Sequence, residues 1–141
     1  MVNHNEVSIK DIFLVYNGHK VIDGIIFQTS KEGLSKAEQI LRDNPCVVDE
    51  LSTRNEPRNE AKIGLVYEPR GPNTGIAHFH LRYLDFHLGP NLYVHHWVDK
   101  MTEEDFRNDQ IEPLLRKIYT EIKPTKITTY LQNADCRNYF E

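Results

Sequence analysis

The chain has 141 residues, 39% hydrophobic and 27% charged. That suffices for one folded core and is too apolar for a disordered chain. The net charge of -4 and a pI near 6.0 argue against a general nucleic-acid binder, which is normally basic, so nucleic acid is not an expected partner. No apolar run reaches the about 20 residues of a membrane-spanning helix, and no membrane association is expected. The start, MVNHNEVSIKDIF, lacks the basic residues and apolar stretch of a secretion signal. Cys46 and Cys136 are far apart and form no CxxC pair. A reduced, cytoplasmic protein without structural disulfides is the expectation.

In chain order, Asp11 to Tyr16 and Lys20 to Gln28 are strand-like runs around Asn17-Gly18, a β-hairpin pattern. Thr29-Ser30 opens a helix with Leu34, Ala37, Ile40 and Leu41 at helical spacing, and Asn44-Pro45 stops it. Asp49 to Lys62 is polar and reads as a surface loop. Three strands follow: Ile63 to Glu68, a long run from Ile76 to Leu88 with a bend near Asp85, and Leu92 to Val98. Their short turns predict an antiparallel meander. Thr102 to Asp105 reads as a capped turn. Ile111, Leu114, Leu115, Ile118, Tyr119 and Ile122 form the clearest amphipathic stripe, on a helix starting near Asp109 or Gln110 with Pro113 in its first turn. Lys126 to Leu131 is a strand, and Asn133 to Phe140 begins a last helix. The predicted fold is a single α+β domain over 1–141 with a mostly antiparallel sheet and flanking helices. Its order is β-β-α-β-β-β-α-β-(α), with residues 1–23 as a hairpin extension.

This order and several segments resemble the GNAT superfamily of acetyl-CoA-dependent N-acetyltransferases. GIIFQTSKEGLSKAEQIL is similar to the family's first strand and helix, and GIAHFHLRYLDFHLGPNLYVHHWVD to its third and fourth strands. NADCRNYFE resembles the family's segment with an asparagine, small residues and an aromatic pair before an acid. The resemblance implies acetyl transfer from acetyl-CoA to an amine, either a small polyamine-like molecule or a protein. It implies a splay between the strands at Leu92–Val98 and Lys126–Leu131 that admits the cofactor arm. Trp97, Val98, Arg107, Asn108, Asp109 and Gln110 would then line the cofactor, and Asn133 would orient its arm. His95 or His96 would be the base, and Tyr139 the acid for the leaving thiolate. Arg107 stands in the family's arginine position, but Gln110 and Glu112 stand where the pyrophosphate loop carries small residues. Glycines there let backbone N–H groups close on phosphate. That departure keeps a second reading open: a non-catalytic module of the same fold, acting through protein contact. In that reading an exposed edge near Lys126–Leu131 pairs with another chain, a homodimer included.

Five of the seven histidines lie between His78 and His96. On a strand, His78 and His80 point to one face, a spacing that suits a metal pair. His-apolar-His also marks the HUH nucleases, which use a divalent metal and a tyrosine from a later helix. Tyr119, with Lys123 four residues on, has the matching spacing. The HIT nucleotide hydrolases also alternate histidines on a strand, but Arg82 occupies the third position here. His95 and His96 are adjacent and face opposite sides of a regular strand.

Overall fold

The computed structural model describes residues 24–50, 61–71, 75–96, 111–130, 133 and 135–141. The hairpin partner predicted before residue 24 and the capped turn at 102–105 lie outside the described residues. So do Trp97, Val98, Arg107, Asn108, Asp109 and Gln110.

Strand β1, Ile25–Gln28, leads into helix α1, Lys31–Asp43. Ser30 caps α1: its hydroxyl accepts a hydrogen bond from the Gly33 N–H at 3.0 Å. Asn44 closes the helix, its N–H donating to the Leu41 carbonyl. Strands β2, Val47–Asp49, β3, Lys62–Tyr67, β4, Ala77–Arg82, and β5, Asn91–His96, follow. Helix α2, Ile111–Ile122, strand β6, Lys126–Thr129, and the short helix α3, Arg137–Phe140, complete the chain. Several boundaries differ from the sequence reading, and the last helix starts at Arg137 rather than Asn133. Asp49 belongs to β2 rather than to a loop, and the run from Ile76 ends as a strand at Arg82.

Among the described residues the sheet is six-stranded and antiparallel throughout, in the order β2-β3-β4-β5-β1-β6. The predicted three-strand meander forms as β3 to β5, and β2, which was not expected, pairs with β3 beside it. The next neighbour of β5 is β1, which is hydrogen-bonded to β5 on one side and to β6 on the other. Strands β5 and β6 are therefore not neighbours. The splay that the acetyltransferase resemblance implies does not lie between them, because β1 fills that place.

Strand alternation gives the sheet two unlike faces. Ile25, Phe27, Leu65, Phe79, Leu81, Leu92, Val94 and Ile127 point to one face and are almost fully buried. Helices α1 and α2 cover this face. Ala37 and Leu41 of α1, with Ile111, Leu115 and Ile118 of α2, join the same apolar cluster. Burying each large side chain contributes about 1.5–3 kcal/mol, so this layer dominates stability. Pro113 sits in the first turn of α2, where its missing N–H costs nothing. Lys123, with φ 47°, turns the chain out of α2, and its N–H donates to the Tyr119 carbonyl at 3.1 Å.

Strand β6 stands at the sheet edge, yet the chain's own C-terminal segment pairs with it. The Cys136 N–H donates to the Ile127 carbonyl at 3.1 Å, and Thr128 bridges Asp135. Phe140 then packs edge-on to Phe27 at 5.4 Å between centroids. Cys46 and Cys136 are not joined in a disulfide. Among the described residues, no helix is long and apolar enough to cross a membrane.

Candidate metal centre

The second face of the sheet gathers His78, His80 and His95. It is built by register. The loop between β4 and β5 sets that register through Asp85. One carboxylate oxygen of Asp85 accepts from the His87 N–H at 2.8 Å and the Leu88 N–H at 3.0 Å. The other accepts from the Asn91 amide at 3.2 Å. Gly89 at φ 68° supplies the left-handed turn that closes the loop. Burial raises the Asp85 pKa, but the N–H groups of Leu88 and His87, the Asn91 amide and the Arg82 charge outweigh it, and the net shift is downward.

With the loop fixed, His78 stands opposite His95, His80 opposite Tyr93, and Arg82 opposite Asn91. His78 is buried and His80 and His95 are half-buried. One ring nitrogen from each histidine lies within 4.8 Å of the other two. His80 and His95 stack at 4.9 Å with 12° between planes, and their Nε2 atoms are 2.8 Å apart. A hydrogen bond between two such nitrogens needs one donor and one acceptor, so at least one ring is neutral. His78 meets His95 edge-on at 5.1 Å. Three imidazoles converging from two adjacent strands suit a borderline cation such as zinc. At a metal–nitrogen bond of about 2.0–2.1 Å and tetrahedral angles, the nitrogens would sit about 3.3 Å apart. The His80–His95 pair would have to open by about half an ångström on binding.

Aromatic residues wall the centre on one side. Tyr93 stacks on His80 at 5.7 Å and meets His95 at 5.1 Å and Tyr130 at 4.9 Å. The Arg82 guanidinium lies 4.8 Å above the Tyr93 ring, a cation–π distance. Gly24 makes this possible, because a Cβ there would stand 2.3 Å from the Tyr93 ring. Lys62 and Lys126 share this face by register with Arg82 and Gln28.

Of the residues expected from the acetyltransferase resemblance, His95, His96, Asn133 and Tyr139 lie among the described residues, and Trp97, Val98, Arg107, Asn108, Asp109 and Gln110 do not. His95 belongs to the histidine face. His96 pairs with Ala77 in the backbone ladder. Tyr139 lies on α3, whose Phe140 packs on the helix-covered face, opposite His95. Asn133 is exposed with φ 51°, a left-handed turn that asparagine tolerates. Tyr119 packs at 5.1 Å on Phe140 and joins the helix-side core. It is on the opposite side of the sheet from His78 and His80, so the HUH arrangement is not assembled through Tyr119. The pairing of His95 with His78 was not drawn from the sequence, nor were the roles of Gly24, Tyr93 and Tyr130. Only the His-apolar-His spacing signalled the site. No known protein family, curated protein or solved structure matches this chain.

Proposed function

We propose that this chain is a metal-dependent phosphodiester-cleaving enzyme, with His78, His80 and His95 holding one divalent cation. The convergence of three ring nitrogens within 4.8 Å on one sheet face is the observation that carries this reading. A cation held there would polarise a phosphoryl oxygen as a Lewis acid. Arg82 stands on the same strand and face, two residues beyond His80, where it offsets the charge of an anionic substrate. Lys62 and Lys126 add to that local positive character. The net charge of -4 describes the whole surface and does not oppose a basic face.

Tyr130 is 49% exposed and lies on the histidine side through its stack with Tyr93, so it replaces Tyr119 as the tyrosine beside the centre. The acetyltransferase reading draws no support from the strand order, since β1 separates β5 from β6. The test is cleavage of single-stranded DNA and RNA oligonucleotides with Mn2+, Mg2+ or Zn2+ added. Metal-dependent cleavage, abolished by His78→Ala and retained in Tyr119→Phe, is expected. Absence of cleavage with every cation and both substrates would remove the reading.

A further inference from the structure

A carboxylate reaches toward the histidine centre from two strands away, across β3. Glu50 follows β2 directly, and its backbone N–H donates to the Gly64 carbonyl at 3.0 Å. Val48 pairs with Val66 and Asp49 with Leu65, so alternation turns the Glu50 side chain to the histidine face. There it fills a notch. The place where a Cβ would stand at Gly64 is taken by the Glu50 carboxylate. Gly64 is the register partner of His80. Opposite Cβ positions on adjacent antiparallel strands are about 4.5–5.5 Å apart, so the notch that the carboxylate fills lies directly beside the His80 side chain. One carboxylate oxygen, Oε1, is shielded from solvent.

We propose that Glu50 is the outer carboxylate of this metal centre, orienting the His80 imidazole and offsetting the charge of the bound cation. This rests on the metal-centre reading above. The geometry divides the work between the two ring nitrogens of His80. Its Nε2 is directed at His95 and serves the cation, which leaves Nδ1 as the nitrogen that can donate to a group outside the centre. A ligating histidine is held in one tautomer and one ring orientation by such an acceptor. Glu50 is a positioning residue in this scheme, not a ligand: its oxygens are not part of the group of atoms that lie within 4.8 Å of one another. Three neutral imidazoles leave a divalent ion at full charge in a half-buried site, and a carboxylate lying over the intervening strand β3 offsets part of that charge. Gly64 has a matching role. Between buried Ile63 and buried Leu65, a strand would favour a β-branched residue, and glycine instead gives the carboxylate its place.

The test is a titration of the full chain with Co2+, read by calorimetry and by the visible absorption of the bound ion, in four forms. These are wild type, Glu50→Gln, Gly64→Ala and the double variant. Glu50→Gln keeps the shape and removes the charge, and should weaken Co2+ binding about 10–100-fold. Gly64→Ala keeps the charge on the chain but takes away its place, and should weaken binding in the same direction. The double variant should bind no more weakly than the worse single variant, since both remove one interaction. Far-ultraviolet circular dichroism confirms the fold of each form, and Glu50→Asp, which keeps the charge, should recover part of the loss. Wild type that binds Co2+ while Glu50→Gln and Gly64→Ala bind it equally well overturns the role of Glu50 and leaves the histidine centre standing. Wild type that binds no Co2+ overturns both.

Discussion

The two faces of one sheet show how the same strands serve two purposes. On the face under α1 and α2, Phe27, Phe79, Leu81, Leu92 and Val94 are fully buried and carry the stability. On the other face, alternate residues of the same strands are His78, His80, Tyr93 and His95, which meet ring to ring. Apolar burial is spread over many residues on one side, whereas the histidines are gathered in one cluster on the other. A substitution at position 79 and one at position 78 therefore test different things, though the residues are adjacent.

That contrast can be broken most strongly at this pair. Phe79→Ala should cost about 3–5 kcal/mol of folding stability, read by chemical denaturation, because it opens a cavity under both helices. His78→Ala should cost much less, near the about 1 kcal/mol typical of single substitutions, and should abolish metal binding. Equal losses of stability would mean that the histidine face is a second core. Gly24→Ala comes next. The new methyl would meet the Tyr93 ring and the Val94 carbonyl, 2.3 and 2.6 Å away, at a cost of about 1–3 kcal/mol. It should also disturb the Tyr93–Tyr130 stack, visible as a change in tyrosine fluorescence or ring NMR shifts.

The smallest effect is expected at Asp85, whose folded-state pKa is lowered. A carboxylate of this kind contributes stability above the ordinary aspartate range, and that contribution is lost as pH falls through its lowered folded value. Amide exchange at His87 and Leu88, corrected for the intrinsic pH dependence, should therefore lose protection in that acidic window. Asp85→Asn should leave little such dependence. Protection that is flat with pH in the unsubstituted chain would contradict the role of Asp85 in holding the loop.

The helices were the most legible part of the sequence. The stripe Ile111, Leu114, Leu115, Ile118 and Ile122 is buried as its spacing predicts, and Ser30 and Asn44 bound α1 as their side chains and the following proline suggest. Local chemistry decides these features. Strand β2 was missed because it is three residues long, half-buried throughout, and merges into a polar run. The position of β1 between β5 and β6 was not legible either, since pairings as distant in sequence as Ile25 with Val94 and with Thr129 leave no local trace. The site was half legible for the same reason. His78 and His80 share a strand, and their spacing shows in the sequence. His95 joins them only through the register that the Asp85 loop sets, and Glu50 only through the notch at Gly64.

The most direct test of the account is a Zn2+ titration of the purified chain by calorimetry, repeated with His78→Ala and His95→Ala. The account predicts one ion bound per chain and a large loss of affinity in both variants, because the centre is built across β4 and β5. No binding by the wild type, or binding that His95→Ala leaves intact, would contradict it.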